Sequence, residues 1–381
     1  MNIEESLERP LRKLAGLQVG HPFLIFILIL AGTAVTLHAA QDLQMRTDLQ
    51  EELPQGLRSI QLEESVSNKL GGTDVMLIVV RLNHSSSIQA TPDDIRAPAV
   101  MTSLLQLESR LETDPRIESV SSPASLFTAT GVPATLSGVK TVLSQFPQTD
   151  PLFNPGYSAT LIQLYVTIPG EEQKIKSFMT DLRNDIQAIQ QPAGVDMTVT
   201  GEAAYRATLT SLLKEEMIFS MLVASLLILG FLFLVQRSVA RAFLIFSPLV
   251  FAVVWTLGTM ALLGIPVTIA TVFIGALILG MGIEFGGFMV ERYKEELSDD
   301  YGYEEAHAAL ITAVPSVGTA IVGSSSTTIL GFLTLLAATM PMIRELGVAL
   351  ALGVTYSLLA VIVFDPVLII AHEWSKGVKP W

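Results

Sequence analysis

The sequence TIATVFIGALILGMGIEFGGFMV at residues 268–290 decides the fold of this chain. It contains one charged side chain, Glu284, and the charged segment ERYKEE follows it at residues 291–296. About 20 apolar residues, at a rise of 1.5 Å per residue, cross the hydrocarbon core of a bilayer. The stretch therefore predicts a membrane-spanning helix that carries a carboxylate within the membrane.

Glu284 is the first candidate functional residue. A carboxylate inside a membrane is costly, and such groups usually face the interior of a helix bundle and mark an ion or proton pathway. Small residues at helical spacing around it would let a neighbouring helix come close. These residues are Gly280, Gly282, Gly286 and Gly287. We interpret Glu284 as a functional acid; the alternative is a structural Glu that is hydrogen-bonded inside a packed helix.

The composition is that of a polytopic membrane protein. Half of the 381 residues are hydrophobic, only 15% are charged, and the mean hydropathy is +0.52. The net charge of −13 argues against nucleic acid as a partner. Because the chain has no Cys, it contains no disulfide, no Cys-ligated metal and no catalytic thiol.

Five more apolar segments predict further spans. They lie at residues 22–39, 217–235, 242–263, 310–338 and 346–371. The first has no convincing cleavage site of a signal peptide and more spans follow it, so we expect it to be retained. The predicted domains are an N-terminal segment with the first span (1–39), an outer domain (40–213), five spans (214–372) and a tail (373–381).

Basic residues predict the orientation of these spans. The short segments on the N-terminal side of the membrane are rich in Lys and Arg, whereas the short opposite loops hold only Arg344. The basic residues are Arg9, Arg12, Lys13, Arg237, Arg241, Arg292, Lys294, Lys376 and Lys379. By the positive-inside rule, both termini are expected in the cytoplasm of a cell-membrane protein, with the large domain outside.

The outer domain has the pattern of a small α/β fold. Residues 40–213 hold 20 acidic against 12 basic residues, so much of the negative charge lies here. A polar amphipathic helix that ends at Gly71 and Gly72 precedes the first strand. Strands are predicted at 74–82, 117–120, 159–168 and 196–200, with helices at 94–112 and 171–189. Two consecutive βαβ units of this kind predict a ferredoxin-like sheet with helices on one face.

Further polar residues lie inside the predicted spans. The fifth span contains Thr319 and a run of five hydroxyl residues from Ser324 to Thr328. These hydroxyls either meet the Glu284 helix or bond to carbonyls one turn earlier in their own helix. Asp365, followed by Pro366, is a second acid, expected at a depth similar to that of Glu284. We predict Glu284, Asp365, Ser324, Thr328 and Thr319 as a candidate proton relay; a water-exposed acid at a proline kink is the alternative for Asp365.

Nothing in the sequence indicates an enzyme or a cofactor site. None of the five His residues has metal-ligand spacing, and no Ser-His-Asp or paired-carboxylate hydrolase pattern is placed by its context. The glycines near Glu284 lack the strand-turn-helix context of a dinucleotide site. We therefore expect no catalytic site, no metal and no cofactor.

The order of one span, a large outer domain and five spans resembles one half of a resistance-nodulation-division (RND) transporter. The chain is most similar to the mycobacterial-membrane-protein-large (MMPL) and hydrophobe or amphiphile exporter branch. The segments that carry the resemblance are RTDLQEELPQGLRSIQ with GGTD, WTLGTMALLGIPVTI, GMGIEFGGFMVERYKEEL, and GFLTLL followed by ELGVALALGV. Relatives usually have Asp-Tyr where this chain has Glu284-Phe285. Glu retains a titratable group, but Phe285 offers no hydroxyl.

The resemblance implies a function. Family members generally carry twelve spans as two repeats, so a chain with six spans is expected to pair, most simply as a homodimer. It implies proton-driven export of a hydrophobic or amphiphilic substrate such as a lipid, either alone or with an outer partner protein. Two alternatives stay open: an auxiliary of protein export similar to the SecD and SecF pair, and a lipid- or sterol-sensing membrane module that does not transport.

Overall fold

The computed structural model describes residues 3–48, 52–54, 74–83, 92–167, 172–298 and 301–377. The amphipathic helix predicted to end at Gly71 and Gly72 lies outside these ranges. The described residues form ten α-helices: α1 (Ile3–Gly20), α2 (Pro22–Ala40), α3 (Pro98–Leu111), α4 (Leu136–Leu143), α5 (Glu172–Ala188), α6 (Glu202–Gln236), α7 (Val239–Leu262), α8 (Ile274–Glu295), α9 (Tyr303–Leu333) and α10 (Pro341–Ser375). They also form four strands: β1 (Asp74–Leu82), β2 (Ile117–Ser121), β3 (Ala159–Val166) and β4 (Val195–Gly201).

The chain divides into two compact units. The membrane unit comprises Met1–Pro54 and Leu212–Trp381, and the α/β unit comprises Gln55–Ser211. Helix α6 contains the boundary, because it runs without interruption from Glu202 to Gln236. The second predicted span (217–235) lies within this helix, which begins fifteen residues earlier, at Glu202.

Six helices are long and apolar enough to cross a membrane, which confirms the six predicted spans. They are Pro22–Ala40, Glu202–Gln236, Val239–Leu262, Ile274–Glu295, Tyr303–Ala337 and Pro341–Ser375. At least half of the apolar window of α7, α8 and α10 is buried inside the structure, against 11% or less for the other three. Helices α7, α8 and α10 therefore form the centre of the membrane unit, and α2, α6 and α9 surround it.

The helix that carries Glu284 begins later than its apolar stretch predicts, at Ile274 and not at residue 268. Val267 instead forms a parallel bridge with Met45, so that the segment after α2 pairs with the segment after α7. The hydroxyl of Thr271 then accepts a hydrogen bond of 2.8 Å from the amide of Thr268. This side-chain bond stabilises a turn and delays the start of the helix.

Helix α1 is an amphipathic helix that the sequence analysis did not predict. Its buried face includes Ala15 and Gln18, and Leu11 packs against α9 so closely that a Cβ on Gly318 would lie 2.9 Å from the Leu11 Cδ1.

His21 adopts a non-helical conformation, and Pro22 opens α2. The chain therefore changes direction at His21 between two helices of the membrane unit.

The α/β unit is built on a sheet of strand order β2-β3-β1-β4 in which all neighbouring strands are antiparallel. Ile78 on β1 faces Ile162 on β3 and Val199 on β4. Alternate residues of β1 and β3 are buried, and they join Leu104 of α3 and Phe178 of α5 in one apolar core. This arrangement confirms the predicted ferredoxin-like fold.

One further helix lies between β2 and β3, where the sequence analysis predicted no helix. Helix α4 forms within a segment rich in Ser, Pro and Gly. The Thr135 hydroxyl caps it by accepting a hydrogen bond of 3.2 Å from the amide of Gly138, while Val139 and Leu143 pack into the core. A cap and two buried residues suffice for two turns, but they give too short a periodic pattern to recognise in the sequence.

Candidate functional site

Glu284 lies on the outer face of the membrane unit. Its residue is exposed, as are Leu277, Gly280, Phe288 and Glu291 on the same helix. Because these positions are three or four residues apart, they form one continuous stripe along α8, which we call the Glu284 stripe. Within the described parts of the chain, the Glu284 carboxylate has no hydrogen-bond or ion-pair partner.

The opposite face of α8 is packed against the centre of the membrane unit. A Cβ on Gly282 would lie 2.6 Å from the Leu249 side chain of α7 and 2.9 Å from the Ser357 hydroxyl of α10. A Cβ on Gly286 would lie 3.0 Å from the carbonyl oxygen of Ile245. These two glycines therefore allow α7 and α10 to approach α8 closely.

The other two predicted glycines have different surroundings. A Cβ on Gly280 or on Gly287 would meet no atom of another element within 4 Å among the described residues. Of the four glycines expected to pack near the relay, the structure places Gly282 and Gly286 at helix contacts inside the chain. It leaves Gly280 on the exposed stripe and Gly287 beside it.

Asp365 is buried, whereas Glu284 is exposed. Its residue is completely buried in α10, and neither carboxylate oxygen has a hydrogen-bond partner among the described residues. An ionised carboxylate without a partner would be strongly destabilising in such a place. Asp365 therefore remains a candidate proton-binding group.

The two acids are also at different depths. Helices α8 and α10 run parallel, because Ile278 packs on Gly353 and Gly282 packs on Ser357 with the same offset along both helices. This offset places Glu284 level with Leu359. Asp365 is six residues farther along, or about 9 Å at the helical rise. The structure thus separates the two acids, which the sequence analysis expected at similar depth.

The hydroxyl residues of α9 bond within their own helix. Thr319 donates to the carbonyl oxygen of Ser316 at 3.0 Å, and Thr328 donates to that of Ser324 at 3.4 Å. Ser325, Ser326 and Thr327 also donate to carbonyls three or four residues earlier. Bonding within the helix was one of the two alternatives left open by the sequence. Ser324 itself is exposed.

Gln18 of α1 is a buried residue that contacts α10 one turn before Pro366, and sequence reasoning missed it. Pro366 has no amide N–H, so it leaves the carbonyl of Ile362 without its helical donor. The Gln18 side-chain amide of α1 donates to this oxygen at 2.8 Å and to that of Val363 at 3.2 Å. A proline inside a predicted span indicates that the carbonyl four residues earlier needs another hydrogen-bond donor. The sequence does not show which residue supplies that donor.

Among its described residues, the α/β unit contains one buried acid. Glu108 on α3 accepts a hydrogen bond of 2.9 Å from the Ser122 hydroxyl and another from the Ser125 hydroxyl. Burial raises the pKa of Glu108, and the two hydroxyl donors only partly offset this effect. The acid joins α3 to the turn that follows β2, so we assign it a structural role.

Comparison with known proteins agrees with this architecture. The sequence profile of the MMPL family matches residues 83–376. The putative membrane protein MJ1562 of Methanocaldococcus jannaschii is 33% identical over 372 residues, which cover 96% of this chain and 95% of that protein. The probable transport protein MmpL12 of Mycobacterium tuberculosis is 26% identical over 197 residues, or 50% of this chain and 17% of that protein.

A solved structure shares the fold. It is the hedgehog release protein Disp from the water bear Hypsibius dujardini, with a TM-score of 0.67 and 14% identity. The match covers 100% of this chain and 50% of that chain, so this chain corresponds to half of the larger protein. The profile match over most of the sequence, together with the six spans and the ferredoxin-like unit, shows that this chain is a multi-pass membrane protein of RND type and belongs to the MMPL family.

Proposed function

We propose that this chain is a proton-driven exporter of a hydrophobic or amphiphilic substrate, in particular a lipid, and that it acts as a homodimer with Glu284 at the interface. The observation that carries the proposal is the position of Glu284 on an exposed stripe in the middle of a membrane-spanning helix. Family membership supports a transporter. The direction of transport, the proton and the lipid are part of the proposal.

The homodimer explains why an acid lies on the outer face. Contact of an ionised carboxylate with lipid at the centre of a bilayer costs roughly 2.5–3.5 kcal/mol on insertion scales, and more by simulation. A second copy that covers the Glu284 stripe removes the acid from lipid. Gly280 gives this stripe a small residue one turn from Glu284, which allows two α8 helices to approach each other.

Twofold symmetry supplies the second proton site. In a symmetric dimer the same patch meets itself, so Glu284 of one copy comes near Glu284 of the other. Two carboxylates that share a site do not both ionise readily, because like charges repel. Binding and release of one proton at this pair would change the charge between the helices and bias their packing. This arrangement does not require the hydroxyl that Phe285 lacks.

The remaining predicted relay residues have a secondary place in the proposal. Asp365 is a second, separate proton-binding group about 9 Å farther along the helices. Thr319, Ser324 and Thr328 lie on α9, where an exposed hydroxyl such as Ser324 is available to a second copy or to water. A proton that moves between Glu284 and Asp365 would need such groups or water as intermediates.

Two segments are suited to transmit the change to the α/β unit. One is α6, which is a single helix from Glu202 to Gln236. The other follows α2, where the amide of Arg46 donates to the carbonyl of Val267 at 2.9 Å. The Arg46 guanidinium also pairs with Glu345 at the start of α10, at 2.6 Å. Both segments connect the ends of membrane helices with residues that lead into the α/β unit.

The orientation follows from the charge distribution. We place both termini in the cytoplasm and the acidic α/β unit outside a cell membrane, because the short basic segments lie on the N-terminal side. The α/β unit would then receive the substrate on the outer side, alone or with a partner protein.

The experiment is a flux measurement on purified protein in liposomes with a pH gradient, a fluorescent lipid and a pH-sensitive dye inside. Wild type is compared with Glu284→Gln, and Glu304→Gln at the exposed start of α9 is the matched control. The proposal expects proton flux and lipid release in wild type and in the control, and loss of both in Glu284→Gln. Equal flux in all three proteins, or lipid release independent of the gradient, would refute it.

A further inference from the structure

An apolar groove of about 470 Å³ lies on the surface of the membrane unit, away from the Glu284 stripe. Its wall is formed by Leu24, Leu28 and Gly32 of α2, by Trp255 of α7 and by Val363 of α10. The volume is within the range of pockets that bind small molecules, which is about 300–1,000 Å³. The lining is almost wholly apolar, so an apolar occupant is indicated.

The groove is closed at the level of Trp255. There the indole N–H donates to the Thr33 hydroxyl at 2.8 Å and joins α7 to α2. One turn farther, the two backbones are so close that a Cβ on Gly258 would lie 2.2 Å from the carbonyl oxygen of Thr36. Toward the start of α2, Ile25 and Ile29 face an apolar cluster with Phe364 and Val367 of α10 and also line the groove.

The length of the groove corresponds to one leaflet of a bilayer. It extends along α2 from His21 to Gly32, which is eleven residues or about 16 Å at the helical rise. The hydrocarbon core of a bilayer is about 30 Å thick, so one leaflet contributes about 15 Å. The part of the groove along α2 therefore has about the length of an acyl chain in one leaflet, and Leu14 and Leu17 of α1 extend the lining beyond it.

The open end of the groove meets a basic part of α1. Leu17 and His21 line this end. Arg9, Arg12 and Lys13 are exposed within the preceding turns of α1, with Arg12 paired to Glu8 at 3.2 Å. The remaining acids of α1 lie at its beginning, farther from the groove. A basic amphipathic helix beside an apolar groove is suited to an anionic lipid headgroup.

We propose that this groove binds one acyl chain of an anionic phospholipid from the leaflet on the side of α1, with the headgroup at Arg9, Arg12 and Lys13. The lipid would fill the space between α2, α7 and α10 and stabilise the turn at His21. Its binding does not depend on the proposed export function, because none of the lining residues belongs to the Glu284 stripe. A failure of either proposal therefore leaves the other intact.

Quenching of Trp255 fluorescence by brominated lipids tests the proposal directly. The chain has three Trp residues, so Trp374→Phe with Trp381→Phe leaves Trp255 as the only one. The protein is placed in phosphatidylcholine liposomes with a small fraction of phosphatidylglycerol, and either lipid carries bromine on its acyl chain. At equal fractions of brominated lipid, we expect stronger quenching by brominated phosphatidylglycerol.

Two glycine variants and one charge variant make the result specific. A Cβ on Gly32 would meet no described atom within 4 Å, so the backbone position is open to a larger residue; Gly32→Leu places its side chain in the groove, and we expect it to abolish the preferential quenching. Gly230→Leu on α6 is equally free of contacts and lies outside the groove, so it should have no effect. The triple substitution Arg9→Gln, Arg12→Gln and Lys13→Gln should remove the preference for the anionic lipid.

Three results would overturn the proposal. The first is equal quenching by the two lipids, and the second is quenching that Gly32→Leu leaves unchanged. The third is quenching that falls as the protein-to-lipid ratio rises, because it would identify a second copy of the chain as the occupant. A size-exclusion profile for each variant, unchanged from that of the parent protein, confirms that folding is retained.

Discussion

The side-chain amide of Gln18 replaces the hydrogen bond that the carbonyl of Ile362 loses to Pro366, at a distance of 2.8 Å. Gln18 and Ile362 are 344 positions apart, so this hydrogen bond joins two helices, α1 and α10, that are far apart in the sequence. A buried carbonyl without a donor would lower the stability of a membrane protein, because no water is present in the hydrocarbon core to donate a hydrogen bond.

The contact predicts a coupling between Gln18 and Pro366. Gln18→Leu should lower the free energy of unfolding by about 1–3 kcal/mol, because it leaves the Ile362 carbonyl without a donor. In a Pro366→Ala background the helix supplies its own N–H, and the same substitution should cost much less. Unfolding in mixed detergent micelles measures all four proteins of this double-mutant cycle. Equal effects in the two backgrounds would contradict the assignment.

The glycines of α8 predict two distinct defects. Gly282→Ala places a Cβ 2.6 Å from Leu249 and should destabilise the membrane unit by about 1–3 kcal/mol through overpacking. The Cβ of Gly280→Leu meets no described atom of its own chain, so we expect no overpacking penalty of this kind within the single chain. On a dimer interface, however, it should lower the dimer fraction.

Thermal unfolding and mass photometry in nanodiscs separate these defects. Gly230→Leu on α6 is the control for Gly280→Leu, because it adds the same side chain at another position free of contacts. A Gly280→Leu protein that dimerises as wild type does would argue against the Glu284 stripe as the interface.

Glu108 predicts a pH dependence within the α/β unit. Because its pKa is raised in the folded state, its contribution to stability is fully present below its unfolded pKa and is lost as the pH rises through the folded pKa. Glu108→Gln keeps an acceptor for Ser122 and Ser125 without a charge to bury. It should therefore increase the amide protection of α3 at high pH and change it little at pH 4.

Hydrogen exchange of the full-length protein at several pH values tests this sign. Asp150→Asn, at an exposed acid outside α3, is the control. Protection of α3 that rises with pH in wild type would contradict the prediction.

Hydropathy predicted the six spans because a membrane helix is defined by its own length and apolar composition. Alternation of strands and helices likewise predicted the ferredoxin-like unit, since each element there has one buried face. The exposed side of α8 was not predictable, because both its buried Leu279 and its exposed Leu277 are apolar. Lipid removes the polar-outside signal that marks the surface of a soluble helix.

The depth of Asp365 relative to Glu284 also could not be predicted from the sequence. The depth of Asp365 relative to Glu284 depends on how α10 is offset against α8, and the close contacts at Gly282 and Gly353 set that offset. Spacing within one helix contains no information on this offset. The same holds for Gln18, whose partner is known only from the folded contact.

Cysteine cross-linking at the Glu284 stripe is the most direct test of the central claim that a second copy covers this face. The chain has no native Cys, so every cross-link reports the introduced position alone. Leu277→Cys, Glu284→Cys and Phe288→Cys should each form covalent dimers in native membranes, whereas Leu226→Cys, which is 71% exposed on α6, should not. Monomers at all three stripe positions, or equal dimer formation at Leu226→Cys, would contradict the account.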